Sequence, residues 1–184
     1  MSRWMAAAML IVVLLPAPLR AGEPRYEFSH DKTRYRFEGS FRTQGKPACL
    51  LGMLFEFNHL KQYVSHAESV TLNAIGENWQ EVTYQYRNPF YKASSTFRRT
   101  LHSAQNRVEY RLIHLEEGGL IRPHIQDISG YYGVIEEKGT RRVTFFQEGE
   151  LEGGILTGFY FGHARDVAIG FLKEIARYAD RHCP

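Results

Sequence analysis

The stretch LFEFNHLKQYVSHAESVTL, Leu54 to Leu72, ends one helical pattern, inserts a short polar knuckle and restarts as an alternating strand. Upstream of it, Pro47 suits a first helical turn, and Leu50, Leu51, Leu54 and Phe55 recur at three- and four-residue spacings, the period of an amphipathic helix. Leu60, Tyr63 and Val64 resume that period behind Asn58, a good N-cap, so the pattern predicts two short helices with Asn58 opening the second. From Ser69 the apolar period falls to two, the mark of a strand with one wet face.

Working outward, TRYRFEGSFRT, Thr33 to Thr43, sets Tyr35, Phe37, Gly39 and Phe41 against charged and polar neighbours, and predicts an opening strand. On the other side, SVTLNAI, WQEVTYQYR, YKASSTFRRTLH and RVEYRLIHL are separated by turn signals at GEN, at Asn88 and Pro89, and at SAQN. Connections this short imply an antiparallel meander. A longer loop, EEGGLIRPHIQ, leads to DISGYYGVIEE, a turn at Lys138 and Gly139, and TRRVTFFQEGEL, which brings the expected strands to seven. The chain then stays glycine-rich as far as Gly162. Beyond it, Val167, Ile169, Phe171, Leu172, Ile175 and Ala176 form a broad apolar helical face. A closing helix of about 18 residues would span roughly 27 Å.

The first 21 residues read as an export signal: Arg3, an apolar run from Trp4 to Leu15, then Pro16, Pro18 and Ala21. Leu19, three residues before the expected cut, is larger than the usual small residue, so retention as an N-terminal anchor is the alternative. The expected organisation is a signal segment over 1–21 and a single domain over 22–184, in a periplasmic or secreted protein. Removing the segment takes Arg3 and Arg20 and no acid with it, so the net charge falls from +3 to +1. The remaining charges are interleaved, without the basic stripe of a nucleic-acid binder. In an oxidising compartment Cys49 and Cys183 can form a disulfide, with two buried thiols as the alternative.

The order of one strand, two short helices, six antiparallel strands and a long C-terminal helix resembles the helix-grip fold of the START-like superfamily. That superfamily includes polyketide cyclase and dehydrase-like, lipid-transport and Bet v 1-like proteins. LFEFNHLKQYVSHAESVTL is the most local carrier of the likeness, which covers almost all of the chain after the signal. Where many members have tryptophan and then proline in the second helix, this chain has Tyr63 and Ser65, so ligand and subfamily do not carry over. The resemblance implies an α+β fold with a curved sheet, two short helices near the far end of the closing helix, and therefore Cys49 beside Cys183. It also implies a cavity for a hydrophobic or amphipathic small molecule, such as a lipid or isoprenoid.

Strand parity supplies candidates for that cavity. It turns Val82, Tyr84 and Tyr86 inward, with Tyr91, Ala93, Ser95, Phe97 and Leu101, Val108, Tyr110, Leu112 and His114, and Ile128, Gly130, Tyr132 and Val134. Buried phenols need hydrogen-bond partners, and small residues among them leave room. Arg99 shares the inward parity, which leaves two readings: a clamp for a ligand carboxylate or phosphate, or a bulge at Arg98 and Arg99 that turns it out to water. His114, at a strand end, is the candidate acid or base of the rival reading, a cyclase- or dehydratase-like enzyme. No nucleophile elbow, metal set or cofactor motif accompanies it. Leu120, Ile121, Ile155, Leu156, Phe159, Tyr160 and Phe161 lie in the two glycine-bearing loops and are expected at the entrance, with Phe159 and Phe161 as ligand contacts. Apolar loops also fit transient contact with a membrane, or an interaction module.

Overall fold

The computed structural model describes residues 22–87, 89–120 and 122–184. The expected signal segment over 1–21, Asn88 of the expected turn and the loop residue Ile121 lie outside the described residues. The chain runs β1 (Arg25–Asp31), β2 (Arg34–Thr43), α1 (Pro47–Phe55), α2 (Phe57–Tyr63), β3 (Ser69–Ile75), β4 (Trp79–Arg87), β5 (Tyr91–His102), β6 (Arg107–Gly119), β7 (Ile125–Glu137), β8 (Thr140–Leu151) and α3 (Thr157–His182). The strands form one antiparallel sheet in the order β1-β2-β8-β7-β6-β5-β4-β3. This is the expected α+β helix-grip architecture, with eight strands in place of seven.

The added strand is β1, joined to β2 by a tight turn in which Lys32 takes a positive φ of 46°. Most of its side chains are exposed, so it lacks the buried face that makes a strand visible in sequence. The closing helix is also longer than expected, 26 residues beginning at Thr157. Gly158 and Gly162 weaken its first turns by propensity. Tertiary packing offsets this, because Phe161 is buried against Tyr35 and Leu151 in a small core of its own. The Thr157 hydroxyl further fixes the entry by accepting from the Gly154 amide at 2.8 Å and donating to the Gly154 carbonyl at 2.7 Å.

The main core lies between the sheet and the helices. Phe37, Phe41, Val82, Val108, Val143 and Phe145 from the strands meet Leu50, Met53 and Leu54 of α1 and Leu172, Ile175 and Ala179 of α3. Among its packing partners α3 lies nearest to β2, with α2 and β1 beside it, whereas α1 packs on β6 and β7. The two short helices divide at Glu56, whose extended backbone (φ −65°, ψ 130°) interrupts the helical path for one residue. Glu56, not Asn58, is therefore the N-cap of α2: its carbonyl accepts from the amides of His59 and Leu60. Asn58 sits one residue too far along, inside the first turn, where its carbonyl accepts from the Gln62 side chain.

Cys49, near the start of α1, is bonded to Cys183, just past the end of α3, across 134 residues of sequence. The expected disulfide forms, and the alternative of two buried thiols does not hold.

Candidate functional site

The curvature of the sheet and its register decide which side chains share the concave face. Tyr84 and Tyr86 on β4 stand opposite Ser95 and Ala93 on β5, Val82 opposite Phe97, and Gln80 opposite Arg99. Tyr110 on β6 pairs with Gly130 on β7, and Val108 with Tyr132. An aromatic series crosses the face: Tyr84 to Phe97 at 5.7 Å between centroids, Phe97 to Tyr110 at 6.1 Å, Tyr110 to Tyr132 at 5.0 Å and Tyr132 to Phe145 at 5.2 Å. Phe171 of α3 closes on it from above, 6.0 Å from Tyr132. Tyr110 and Tyr132 are buried, while Tyr84, Tyr86, Phe97 and Leu112 keep part of their surface accessible. The accessible part lies toward β4, β5 and β6, away from the strand against which α3 packs.

The hydroxyls on this face are uncharged donors at neutral pH. Burial pushes Tyr110 and Tyr132 well above the ordinary phenol range and raises Tyr84 and Tyr86, with Arg99 pulling Tyr84 and Tyr132 partly back. Burial likewise raises Tyr63, whose hydroxyl has no hydrogen-bond partner among the described residues. Tyr110 donates to the Phe146 carbonyl at 3.1 Å and to Gln147 Oε1 at 3.2 Å, and Gln147 Nε2 donates to the Tyr35 hydroxyl at 2.8 Å. Only a residue without a Cβ fits at position 130, because a side chain there would collide with the Tyr110 hydroxyl and the Phe146 carbonyl.

Arg99 points inward and is 1% exposed. The register runs unbroken through Arg98 and Arg99, so no bulge turns it out to water. Its Nη1 donates to the Phe55 carbonyl at 3.0 Å, its Nη2 donates to the Leu54 carbonyl, and Gln80 Nε2 donates to the same Phe55 oxygen. These are orphan carbonyls at the end of α1, which a helix leaves without internal partners. The guanidinium thus holds the knuckle between the two short helices, and the C-terminal end of the α1 dipole lies against its charge.

His114 departs from the expected parity. The register of β5 against β6 passes from Thr96 opposite His114 to Phe97 opposite Leu112, leaving Ile113 as an extra residue. That bulge reverses the facing of every later side chain on β6. His114 is consequently 61% exposed on the outer face, its Nε2 3.3 Å from Glu116 Oε1. Phe159 is exposed on the first turns of α3, and Phe161 belongs to the separate core with Tyr35, so neither joins the aromatic series. The structure therefore brings together Tyr84, Tyr86, Phe97, Arg99, Tyr110, Leu112 and Tyr132, and separates His114, Phe159 and Phe161 from them. Tyr63, Gln80, Gln147 and Phe171 complete the surroundings. The inward parity of Gln80 and Gln147 on their strands was the available signal for two of them.

Two clefts, of about 310 and 470 Å³, open among the described residues, the first of them touching the edge of this face at Tyr86. The first lies at the ends of β4, β5 and β6, where Tyr86 and Ala93 of the concave face meet polar and charged neighbours such as Gln85, Arg87, Lys92 and Glu117, and the second is lined by charged ends of β1, β2, β7 and β8. Their linings suit water and ions better than an apolar molecule. Among the described residues no three His, Cys, Asp or Glu side chains gather in a metal-binding group.

No protein-family model matches the chain, and no curated protein matches it. Solved structures do. The Zhui aromatase/cyclase from Streptomyces sp. R1128 superposes with a TM-score of 0.65 at 14% identity, over 80% of this chain and 94% of that one. The STAR-related lipid transfer protein from Xanthomonas axonopodis gives 0.60 at 13% identity, over 83% and 97%. Ara h 8.0201 gives 0.60 at 13% identity, over 79% and 97%. The fold is that of the START-like, Bet v 1-like helix-grip proteins.

Proposed function

We propose that the protein is an exported carrier that binds a hydrophobic or amphipathic small molecule, such as a lipid or isoprenoid, against the concave face of its sheet. The observation that carries this reading is the aromatic series from Tyr84 to Phe145, continuous across five strands and still partly accessible at Tyr84, Tyr86, Phe97 and Leu112. A protein with nothing to bind would bury such a surface more fully. The neighbours of the same fold include a lipid transfer protein and an aromatase/cyclase, both of which fit an apolar occupant. In this reading Arg99 sets a positive potential behind Tyr84 and Tyr132 rather than gripping the ligand, since its burial and its hold on α1 leave it little free surface.

Binding without turnover fits the face better than catalysis. The Tyr110 hydroxyl donates to a backbone carbonyl and an amide oxygen, neither of them a base, and the histidine that would have served as acid or base lies on the other side of the sheet. Export agrees with the disulfide, which persists in oxidising compartments. The direct test is native mass spectrometry of the processed protein purified without detergent, followed by organic extraction. A stoichiometric apolar adduct is expected. A clean mass that persists after incubation with a lipid extract overturns the carrier reading.

A further inference from the structure

The sheet ends in two edge strands, β1 and β3, and they differ. Along β3 the pairing with β4 shifts register between Leu72 and Ala74, an irregularity that spoils an edge for further pairing. β1 has no such guard: its seven residues pair with β2 in unbroken register and include no proline and no lysine. α3 packs chiefly on β2, and six of the seven β1 side chains are exposed.

The backbone of β1 is free on alternate residues. The Arg42 carbonyl accepts from the Gly22 amide at 2.8 Å and so faces β1, while the Thr33 carbonyl accepts from the Leu151 amide at 2.8 Å and faces β8. Alternation from these two points turns the even-numbered residues of β2 toward β1, where they stand opposite Arg25, Glu27, Ser29 and Asp31. Those four therefore bond to β2. Tyr26, Phe28 and His30 turn their amides and carbonyls to the open edge, where no hydrogen bond reaches them among the described residues.

The side chains select one way of filling that edge with a second β1. An antiparallel pair centred on Glu27 opposes Glu27 to its own copy, and one centred on Ser29 opposes Glu27 to Asp31. Centring on Phe28 sets Arg25 against Asp31 at both ends, Tyr26 against His30 and Glu27 against Ser29, with no like charges opposed. It also brings the outward groups of Tyr26, Phe28 and His30 together. Among the described residues neither Arg25 nor Asp31 is in an ion pair, so both charges are available to a partner.

We propose that two copies of this chain pair through β1, antiparallel and centred on Phe28, into one continuous sheet with two-fold symmetry. The dyad of such a pair stands perpendicular to the sheet, so both aromatic faces open on the same side. The pairing goes beyond the carrier reading and does not rest on it, because it is measured with no ligand present.

Sedimentation equilibrium of the processed protein, at concentrations up to about 0.5 mM, tests it. A reversible dimer is expected. Arg25→Asp and Asp31→Arg each oppose like charges at both ends and should weaken the dimer on the order of tenfold, whereas the two together restore the pairs and should return the native affinity. Tyr26→Pro removes an outward amide without breaking the ladder to β2 and should abolish the dimer. The unfolding midpoint of each variant confirms its fold. A monomer at every concentration overturns the proposal. So does a dimer that the proline leaves intact, which lies on another surface, or one that the charge exchange fails to rescue, which pairs in another register.

Discussion

The end of the molecule that holds α1, α2 and the last turns of α3 carries a disulfide and a buried guanidinium on backbone carbonyls, whereas the end where α3 begins is joined by hydrogen bonds such as Tyr160 to Arg122 and Thr157 to Gly154. At the tied end Cys49 is bonded to Cys183, Arg99 and Gln80 hold the carbonyls of Leu54 and Phe55, and Tyr178 meets His59 at 2.8 Å and Gln62 at 3.2 Å. At the other end Gly154, Gly158 and Gly162 have open space around them and apolar side chains stand in water. A concave aromatic face lies between the two. On the proposed carrier reading, the face is anchored at the first end and entered from the second.

Several experiments would break or sharpen that contrast. The largest effect is expected from the disulfide: Cys49→Ser with Cys183→Ser should cost up to roughly 4 kcal/mol of stability, because the bond closes a long loop in the unfolded chain. Denaturant unfolding reads this, and an unchanged midpoint would mean that the tied end does not depend on the bond. Next, Arg99→Met should lose about 3 kcal/mol, since two helix-end carbonyls lose a charged donor while remaining buried. If the loss is near zero, the knuckle is held by packing alone. Gly130→Ala should cost roughly 2 kcal/mol by forcing Tyr110 off the Phe146 carbonyl, with a matching change in near-ultraviolet circular dichroism. Leu120→Ser at the open end should change stability by less than about 0.5 kcal/mol. A large loss there would show that the exposed Leu120 is structural.

Alkaline titration probes the face itself. Burial pushes Tyr35 up to about 12, and the phenols of Tyr63, Tyr84, Tyr86, Tyr110 and Tyr132 also rise. Raised phenols stay protonated longer in the folded state than in the unfolded one, so their contribution is fully present below about pH 10, the unfolded phenol value. Stability should therefore fall as the pH rises from about 10 toward 12. Phenolate absorbance should appear together with loss of the fold. Titration of most tyrosines near pH 10 in a folded protein would show that the face is wet.

The sequence made the face legible where a single rule governs it. Alternation placed Tyr84, Tyr86, Phe97, Tyr110 and Tyr132 correctly, because a strand with one buried side cannot slip by one residue without exposing its core. The same rule misplaced His114, since the extra residue at Ile113 reverses parity and leaves no mark in composition. Arg99 was ambiguous for another reason: its partners, Leu54 and Phe55, are backbone carbonyls more than forty residues away in the chain. Glycines hid the first turns of α3, where local propensity yields to the burial of Phe161. β1 escaped notice because a strand exposed on both faces has no hydrophobic signature.

The most direct test of the account is to locate a bound amphiphile by nuclear magnetic resonance, using the dye anilinonaphthalene sulfonate as the probe. Intermolecular contacts from the dye to the rings of Tyr84 and Phe97 and the methyl groups of Leu112 are the expected result. Contacts confined to outward side chains such as Gln85 and Ser94, or no saturable binding, would contradict it.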